Sequence, residues 1–478
     1  MAESWATLGV DLHLEPSGSG GLRRGLTDAV RDAVRSGRLA PGTRLPSSRS
    51  LAVDLGIARN TVAEAYADLV AEGWLTARQG SGTRVAPGTP GTGAPSRTRT
   101  APAAGTSPGT TPVTSHRAPA RPLHDLVPGT PDLAAFPRTE WLKAARRALA
   151  TAPFHAFGYG DPRGRPELRT ALAGYLARAR GVRTDPDTIL ITAGFSHALT
   201  VLGKVLRARG VRTVAVESYG LDVHWALLRN AGLATPVLPY DELGTDPVVP
   251  GNAGAVLLTP AHQFPMGTAL HPDRRAAVVA WARRTGGLVL EDDYDGEFRY
   301  DRQPVGALQG LAPDRVVYLG TASKSLAPGL RLGWMVLPPA LAAEAASAKG
   351  QADTVGVLEQ LTLAEFLTSG AYDRHVRSSR LRYRRRRDAL ATAVAERAPE
   401  VRVTGIAAGL HAVLRLPPGT EGSVVQAAAW QGLALHGLSY HRHPQAVTDP
   451  LDALVVGYGT PPDSAWAGAL EALCRVLP

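Results

Sequence analysis

The stretch GTASKSLAPGLRLGW, residues 320–334, decides the fold of the larger part of this chain. An apolar run at residues 316–319 leads into it, and a second apolar run at residues 334–337 leads out of it. Runs of this length are typical of buried strands. The stretch itself, with Lys324 between two serines and Arg331 further along, is thus predicted to be a turn between two strands.

Outward from this turn, further apolar runs alternate with segments of helical pattern. They cover residues 189–192, 211–216, 255–258 and 288–290. Strands that alternate with helices favour a mostly parallel sheet with helices on both faces, which places residues 123–371 in the α/β class. From about Tyr372 the pattern changes to a long arginine-rich helix, followed by strand candidates at residues 411–416 and 454–457. Residues 372–478 are therefore predicted to form a smaller α+β subdomain.

Residues 87–122 are dominated by Pro, Gly, Thr and Ala. This composition offers almost nothing with which to build a core, so it predicts a disordered linker. A flexible coil of this length has an end-to-end span on the order of 30 to 35 Å. The linker separates the α/β part from residues 1–86, which are predicted to be a folding unit of their own.

Residues 1–86 have the pattern of three helices followed by two strands. The first helix ends at SGRLAPG, the second begins at Ser47 and Ser48 and ends at Gly56, and the third covers residues 59–72. Residues 74–85 follow as two strands around a Gly-rich tip, which completes a winged helix-turn-helix. The side chains predicted to face its core are Leu22, Leu26, Val30, Val34, Leu51, Leu55, Val62, Tyr66, Leu69 and Val70.

The net charge of +10 and the isoelectric point near 10.0 fit a nucleic-acid partner. Residues 22–84 contribute ten arginines and six acids, a net charge of +4. The denser run RHVRSSRLRYRRRR, residues 374–387, is better explained by a solvated helix face or by interdomain ion pairs than by direct DNA contact.

The sequence has no apolar segment near the roughly 20 residues that a membrane helix needs, and its N-terminus lacks a secretory pattern. Its one cysteine, Cys474, excludes an internal disulfide and any multi-cysteine metal site. We therefore expect a cytoplasmic protein with no membrane partner and no metal.

The segment PGTRLPSSRSLAVDLGIARNTVAEAYADLVAEGWLTARQGSGTRV, residues 41–85, resembles the DNA-binding domain of the GntR family over its whole length. Side chains in the first turn of the third helix can reach base edges in the major groove, and the wing glycines allow close approach to DNA. Ala58 departs from the family, whose members usually carry a hydroxyl residue there to cap this helix. The resemblance implies contacts to double-stranded DNA at Arg49, Arg59, Asn60, Thr61, Gln79 and Gly80.

The C-terminal part resembles aminotransferases of fold type I over most of its length. The resemblance is carried by YGDPRGRPELRTALAGYLARARGV at residues 159–182, ITAGFSHALT at 191–200, LLTPAHQFPMG at 257–267, EDDYDGEFRY at 291–300 and the stretch quoted first. It implies the cofactor pyridoxal 5'-phosphate (PLP), which needs a lysine for a Schiff base, a carboxylate at the pyridine nitrogen and a cradle for its phosphate.

By this resemblance Lys324 forms the Schiff base, Asp292 faces the pyridine nitrogen and Tyr294 faces the ring oxygen. If Asp292 did not serve, Asp293 or Asp295 would be the alternative. The cofactor-binding residues that the resemblance implies are Gly194, Phe195, Ser196, His262, Asp292, Tyr294, Thr321, Ser323, Lys324 and Arg331.

The combination of a DNA-binding domain at residues 1–86 (the reader), the linker and the aminotransferase-like domain (the sensor) resembles the MocR/PdxR subfamily of GntR regulators. It implies a homodimer, usually head to tail, that responds to PLP or an amino compound and controls genes of vitamin B6 or amino-compound metabolism. Two points stay open. Tyr219 or Trp225 is available to stack on the cofactor ring, and Arg442 is the nearest candidate for binding an effector carboxylate, although it is equally well explained as a surface residue.

Two functions are compatible with these residues. One is a PLP-responsive regulator without useful turnover, and the other is a working aminotransferase, capable of at least a half-reaction, with an appended DNA-binding domain. The uncertain carboxylate-binding arginine favours the regulator. A vestigial site in a domain that only dimerises is disfavoured because Lys324, Asp292 and Arg331 are intact.

Overall fold

The computed structural model describes residues 21–35, 39–78, 82–87, 122–300, 306–350 and 355–478. The chain divides into two compact units, Met1–Ser115 and His116–Pro478. Apart from its two end residues, the predicted linker at residues 87–122 lies outside the described residues.

The first unit is a winged helix-turn-helix, as predicted. Its helices are α1 (Leu22–Arg35), α2 (Ser48–Asp54) and α3 (Arg59–Ala71), and its wing is the antiparallel pair β1 (Leu75–Arg78) and β2 (Gly82–Val85). The second helix begins at a capped N-terminus, because the Ser47 hydroxyl accepts a hydrogen bond from the Ser50 amide at 3.1 Å. Most of the predicted core is confirmed; the fully buried members are Leu26, Val30, Val34, Leu51, Val62, Tyr66 and Leu69.

Two predicted core side chains are exposed instead. Leu22, the first residue of α1, is 53% exposed, and the prediction that it faces the core is wrong. Val70 is 36% exposed, and the prediction that it faces the core is wrong. The buried stripe of α3 runs through Val62, Tyr66 and Leu69, and the residue after Leu69 is turned about 100° away from that stripe.

The second unit contains the larger sheet and the small subdomain. Its strands are β3 (His124–Asp125), β4 (Ile189–Thr192), β5 (Val214–Glu217), β6 (Val237–Leu238), β7 (Tyr240–Asp241), β8 (Gly244–Thr245), β9 (Ala255–Leu258), β10 (Leu288–Asp292), β11 (Val316–Thr321), β12 (Gly333–Val336), β13 (Arg402–Thr404), β14 (Ala412–Arg415), β15 (Leu433–Ala434), β16 (His436–Gly437) and β17 (Ala453–Val456).

The α-helices of this unit occur before, between and after these strands. They are α4 (Arg138–Thr151), α5 (Pro166–Arg180), α6 (Phe195–Ala208), α7 (Asp222–Asn230), α8 (Pro272–Thr285), α9 (Pro339–Lys349), α10 (Val357–Thr368), α11 (Ala371–Arg397), α12 (Glu421–Trp430) and α13 (Asp463–Val476). Among the described helices, none has both the length and the apolar composition that crossing a membrane would require.

The large sheet has seven strands in the order β4-β12-β11-β10-β9-β5-β6. All neighbouring pairs are parallel except those of β12, which runs antiparallel to both β11 and β4. Successive residues of β4 enter different cores, since Ile189 and Ile191 belong to one apolar cluster and Leu190 to another. The sheet is therefore covered on both faces, and the predicted α/β fold with a mostly parallel sheet is confirmed.

The small subdomain is a four-stranded antiparallel sheet in the order β13-β14-β17-β16, packed with α11, α12 and α13. It contains the predicted long helix and both predicted strands. A buried ion pair fastens α11 to the start of the unit: the Arg386 Nη2 lies 3.0 Å from the Asp132 Oδ2, and each side chain is no more than 3% exposed. Arg386 also donates to the carbonyls of Tyr458 and Pro461, so this charge is well compensated.

The cap of α3 provides a test of the first unit. Ala58 is the N-cap residue and offers no side-chain acceptor. We expect Ala58→Ser to raise the free energy of unfolding by roughly 1 kcal/mol, because its hydroxyl can accept one of the unpaired amides of the first turn. Urea denaturation of a Met1–Ser115 fragment measures this change. As the matched control, Ser47→Ala removes the existing cap of α2 and should lower the stability. A stability unchanged by Ala58→Ser in a fragment that Ser47→Ala destabilises would contradict the prediction.

Candidate functional site

The carboxyl edge of the large sheet opens into a cavity of about 450 Å³. Its lining includes the last residues of three parallel strands, namely Glu217 of β5, Asp292 of β10 and Thr321 of β11. This edge is where open parallel sheets bind ligands, and the volume suits a cofactor or another small molecule. The cavity is thus the candidate site of the second unit.

Lys324 reaches this cavity from the turn after β11. It is one of four lysines in the chain, and the only one in the lining. Its Nζ donates a hydrogen bond to the carbonyl oxygen of Gly129 at 2.5 Å. Burial lowers the pKa of the Lys324 ammonium, although Asp292 and Asp295 act in the opposite direction. A lowered pKa favours the neutral amine of the lysine, which is the form that attacks a carbonyl group.

Asp292 presents a buried oxygen with no partner. The side chain is 7% exposed, and its Oδ1 makes no hydrogen bond within the described structure. Burial raises the pKa of Asp292 well above the ordinary value, with only partial compensation from Lys324. The two alternatives are already engaged: Asp293 accepts from Arg180 Nε at 2.7 Å, and Asp295 pairs with His262 at 2.8 Å. Only Asp292 is therefore free to hold a cationic ring nitrogen.

Tyr294 lies beside Asp292 and is held by His262. The Nδ1 of His262 lies 3.1 Å from the Tyr294 hydroxyl and 2.8 Å from Asp295 Oδ2. His262 is not part of the cavity lining, so it is placed behind Tyr294 rather than against a ligand. His262, Asp295 and His411 could also form a metal-binding group, since their ligand atoms lie within 4.8 Å of one another. In the described structure His262 hydrogen-bonds to Asp295, and His411 donates to the Pro265 carbonyl, so each of the three side chains already has a partner within the protein.

The start of α6 and the turn after β11 together form a cradle for an anion. Gly194 is the N-cap of α6, with φ of 88° and no side-chain cap, so the first amides of the helix have no acceptor from that side chain. Arg331 lies next to it, and its guanidinium donates to the carbonyl of Ala193. On the other side of the turn, the hydroxyl of Thr321 donates to that of Ser323 at 2.8 Å. Helix amides, hydroxyls and a guanidinium are the groups that bind a phosphate.

The structure thus brings most of the predicted cofactor residues to one cavity. Those in its lining are Phe195, Ser196, Asp292, Tyr294, Thr321, Ser323, Lys324 and Arg331. Gly194 lies directly behind the anion cradle, because a Cβ at that position would be 3.3 Å from the Arg331 guanidinium.

The open positions are also placed by the structure. Tyr219 and Trp225, the two candidates for stacking on the cofactor ring, both contribute to the lining, and each is nearly fully buried. Another ring of the lining, that of His224, packs on Phe195 with 4.4 Å between the ring centroids. Arg442 lies outside the lining. Its Nη2 donates to the carbonyls of Ala446 and Thr448 at 2.7 and 2.6 Å, which fixes it to its own loop.

Several lining residues did not emerge from the sequence. Glu217 accepts hydrogen bonds from Thr245 at 2.9 Å and from the hydroxyl and amide of Thr259 at 2.5 and 3.1 Å. In the sequence, Glu217 could have been identified as a site residue because it is an acidic residue at the end of a buried strand. The other missed group consists of rings, namely His224, Phe264, His411, His436, Tyr440 and His441.

The first unit carries its predicted contacts on an exposed surface. Arg23 pairs with Glu64 and Asp68, and Arg31 pairs with Glu72, so these acids of α3 and its C-terminus are neutralised by α1. Arg49 on α2 and Arg59 at the start of α3 are exposed and form no ion pair with any acid of the described residues. Asn60 is exposed and Thr61 is half-buried beside them, whereas Gln79 and Gly80 lie outside the described residues.

Comparison with known proteins matches both units. The family described as bacterial regulatory proteins, gntR family, matches residues 22–85, and aminotransferase class I and II matches residues 129–441. Among curated relatives, the HTH-type pyridoxine biosynthesis transcriptional regulator PdxR of Corynebacterium glutamicum is 35% identical over 443 residues, covering 91% of each chain. The probable rhizopine catabolism regulatory protein MocR of Rhizobium meliloti is 33% identical, covering 89% of this chain and 88% of its own.

Solved structures resemble the second unit. One of them is the crystal structure of the kynurenine aminotransferase of Pyrococcus horikoshii, in complex with PMP, its substrate and its product. It aligns with this chain with a TM-score of 0.66 and 25% sequence identity. The alignment covers 75% of this chain and 91% of that one.

The buried Glu217 gives a test of the site's electrostatics. Burial raises the pKa of Glu217 from an ordinary value of 4.5 to about 7. Between these two pH values the folded state keeps a proton that the unfolded state has lost, so this group makes folding less favourable as the pH rises. We expect Glu217→Gln to remove this pH-dependent loss of stability. The midpoint temperature of unfolding of the variant, relative to that of wild type, should therefore rise between pH 5 and pH 8. Differential scanning fluorimetry measures it, with Glu400→Gln at an exposed site as control; an equal pH dependence in both variants would refute the prediction.

Proposed function

This chain belongs to the MocR/PdxR subfamily of GntR-type transcriptional regulators, and we propose that it senses PLP at Lys324 and reads an operator through α3. The observation that carries the proposal is the set of groups around one cavity: Lys324, the unpartnered oxygen of Asp292 and the anion cradle of α6. A winged helix-turn-helix precedes this domain in the same chain. The pairing of a ligand site with a DNA reader supports regulation.

Bound PLP supplies an electrophilic carbonyl and a protonated pyridine ring that withdraws electrons. Asp292 would accept a hydrogen bond from the protonated ring nitrogen, since a cation there offsets the cost of the buried carboxylate charge. Tyr294, held by His262, donates to the ring oxygen. Arg331, Ser196, Thr321 and Ser323 hold the phosphate, together with the first amides of α6.

We further propose that the chain works as a homodimer, in which residues 87–122, most of them outside the described residues, connect the DNA-binding unit to the PLP-binding unit. Support comes from apolar side chains of the second unit that are left in solvent. Phe154 is 99% exposed and Tyr159 fully exposed, while Leu142 and Phe157 are each 51% exposed. So many exposed apolar groups around the first helices are typical of a protein interface. Sedimentation equilibrium of the purified chain tests this proposal, and a monomer at micromolar concentration would refute it.

The relative PdxR is named for pyridoxine biosynthesis, and this supports vitamin B6 genes as targets of this chain, with PLP or an amino compound as the effector. The alternative, a working aminotransferase, requires a residue to bind the substrate carboxylate. Arg442 is tied to its own loop and does not line the cavity. The regulator is therefore the function that the geometry supports best.

The cofactor proposal predicts the optical properties of the protein. Purified wild type should be yellow when loaded with PLP, and Lys324→Ala should lose the visible band because no amine is left at the cofactor. The matched control is Lys204→Ala, an exposed lysine on α6 outside the lining. Absorption spectra before and after borohydride treatment make the measurement. If Lys324→Ala retains cofactor that borohydride fixes to the protein, another of the four lysines is the ligand.

The regulatory proposal predicts a separation of the two units in DNA binding. Arg59→Ala should weaken operator binding with or without PLP, by roughly tenfold, because it removes a contact in the major groove. Lys324→Ala should leave affinity without PLP unchanged but abolish the effect of PLP. Fluorescence anisotropy at one fixed salt concentration measures these affinities, since phosphate contacts vary with salt.

Arg24→Ala is the control for charge in this experiment, because Arg24 is exposed on α1 rather than in the helix-turn-helix. The proposal is contradicted if wild type and Lys324→Ala bind the operator with the same affinity and PLP changes neither affinity. PLP would then have a catalytic or structural role instead.

A further inference from the structure

The part of the cavity not assigned to the cofactor is bounded by rings. We define the ring wall as Phe264, His411, His436, Tyr440 and His441. Its members contact one another: ring centroids of Phe264 are 5.1 Å from those of both His411 and His441, and the His436 and Tyr440 rings are 4.2 Å apart. All five line the cavity that contains Lys324. An effector bound beside the cofactor therefore meets this wall.

Burial disfavours the positively charged form of the histidines of the wall. Burial lowers the pKa of His441 to about 4 and the pKa of His411 well below its ordinary value. It also lowers the pKa of His436. In the neutral form these rings offer hydrogen bonds and apolar surface rather than a countercharge. His441 is 2% exposed, and neither of its ring nitrogens has a hydrogen-bond partner among the described residues, so the wall can still hydrogen-bond to a ligand.

Acidic side chains outnumber basic ones in the lining. Within the described residues it contains two basic side chains, Lys324 and Arg331, and both are assigned to the cofactor under the proposed function. It also contains four acidic side chains, those of Glu217, Asp222, Asp292 and Asp295. Once the cofactor is bound, no arginine or lysine of this described lining remains for an acidic ligand.

Asp222 is the carboxylate left for the effector. Glu217 accepts hydrogen bonds from two threonines, Asp295 is paired with His262, and Asp292 faces the cofactor in the proposed arrangement. Asp222 is exposed in the first turn of α7 and enters no ion pair with a described residue. Its side chain accepts only the amide of Val223, at 2.7 Å. A negative charge thus stands at the cavity with capacity to bind a cation.

These features determine which ligand charge is tolerated. A carboxylate placed against neutral imidazoles and Asp222 would lose its hydration without gaining a countercharge, which is strongly unfavourable. An ammonium group gains from Asp222, and an apolar or ring-bearing substituent gains contact with the wall.

We propose that the effector of this site is a primary amine without an acid group, the class produced when an α-amino acid loses its carboxylate, and that Asp222 selects it. The inference rests on the proposed function, since it assumes that the cofactor occupies Lys324, Asp292 and Arg331. Amino acids of any chain length are the class that the site rejects.

The test uses full-length PLP-loaded protein and matched pairs of ligands. Cadaverine is compared with lysine, phenethylamine with phenylalanine and histamine with histidine, so each pair differs only by a carboxylate. Isothermal titration calorimetry gives affinities, and the visible absorption band gives a second readout. We expect each amine to bind at least about tenfold more tightly than its parent amino acid, as befits an uncompensated charge. Equal or tighter binding of the amino acids, or binding of neither class, would overturn the proposal.

Variants of Asp222 identify the selecting residue. Asp222→Asn should weaken the binding of cadaverine, and Asp222→Arg should reverse the preference within each pair because it supplies the missing countercharge. The control is Asp273→Arg, which makes the same charge change in the first turn of another helix, at a side chain 93% exposed and outside the lining. Unchanged preferences in both Asp222 variants would refute the role of Asp222.

This inference and the proposed function fail in different ways. A wild-type protein without a visible PLP band contradicts the proposed function and thereby removes the premise of the inference. A protein with the band, lost in Lys324→Ala, that nevertheless favours amino acids contradicts the inference alone.

Discussion

The buried carboxylate of Asp292 is the constraint around which the second unit is organised. A charge that is 7% exposed, with one oxygen unpartnered in the described structure, is costly unless a cation or a donor reaches it. The neighbouring acids cannot take the place of Asp292, because Asp293 already pairs with Arg180 and Asp295 with His262. The positive charge of Lys324 counteracts this burial in part, and burial also disfavours the ammonium form of Lys324. The pair is thus prepared for a ligand that satisfies both groups.

Close backbone packing holds the anion cradle in register with this pair. A Cβ at residue 333 would lie 2.8 Å from the Cα of Gly194, so β12 and the start of α6 can approach this closely only because residue 333 is glycine. Arg331 has φ of 52°, an unfavourable value for a side chain of its size. Such strain persists where surrounding structure determines it, and it is concentrated at ligand sites. Here it turns the guanidinium toward the first turn of α6.

What the sequence revealed depends on how local each signal is. The strands of the large sheet are buried on both faces and so appear as continuous apolar runs, and Lys324, Asp292 and Tyr294 lie in motifs directly after such strands. The ring wall has no local pattern, because its contacts join residues as distant as Pro265 and His411. Its lowered pKa values likewise arise from burial that only the folded chain creates. Val70 failed for another reason, since an apolar residue adjacent to a buried stripe need not belong to it.

The cavity is shared by the large domain and the small subdomain, and this sharing sets what an effector must do. The two parts are joined at its edge by the Ile406 amide, which donates to the Gly267 carbonyl at 2.7 Å, and by the His411 ring, which donates to that of Pro265 at 2.9 Å. A ligand that touches only the large domain has the same binding free energy wherever the small subdomain lies, so it does not shift the position of that subdomain. A ligand that meets both Lys324 and the ring wall binds one arrangement better than another. Contact with His411, His436, Tyr440 and His441 of the wall therefore couples an effector to the position of the small subdomain.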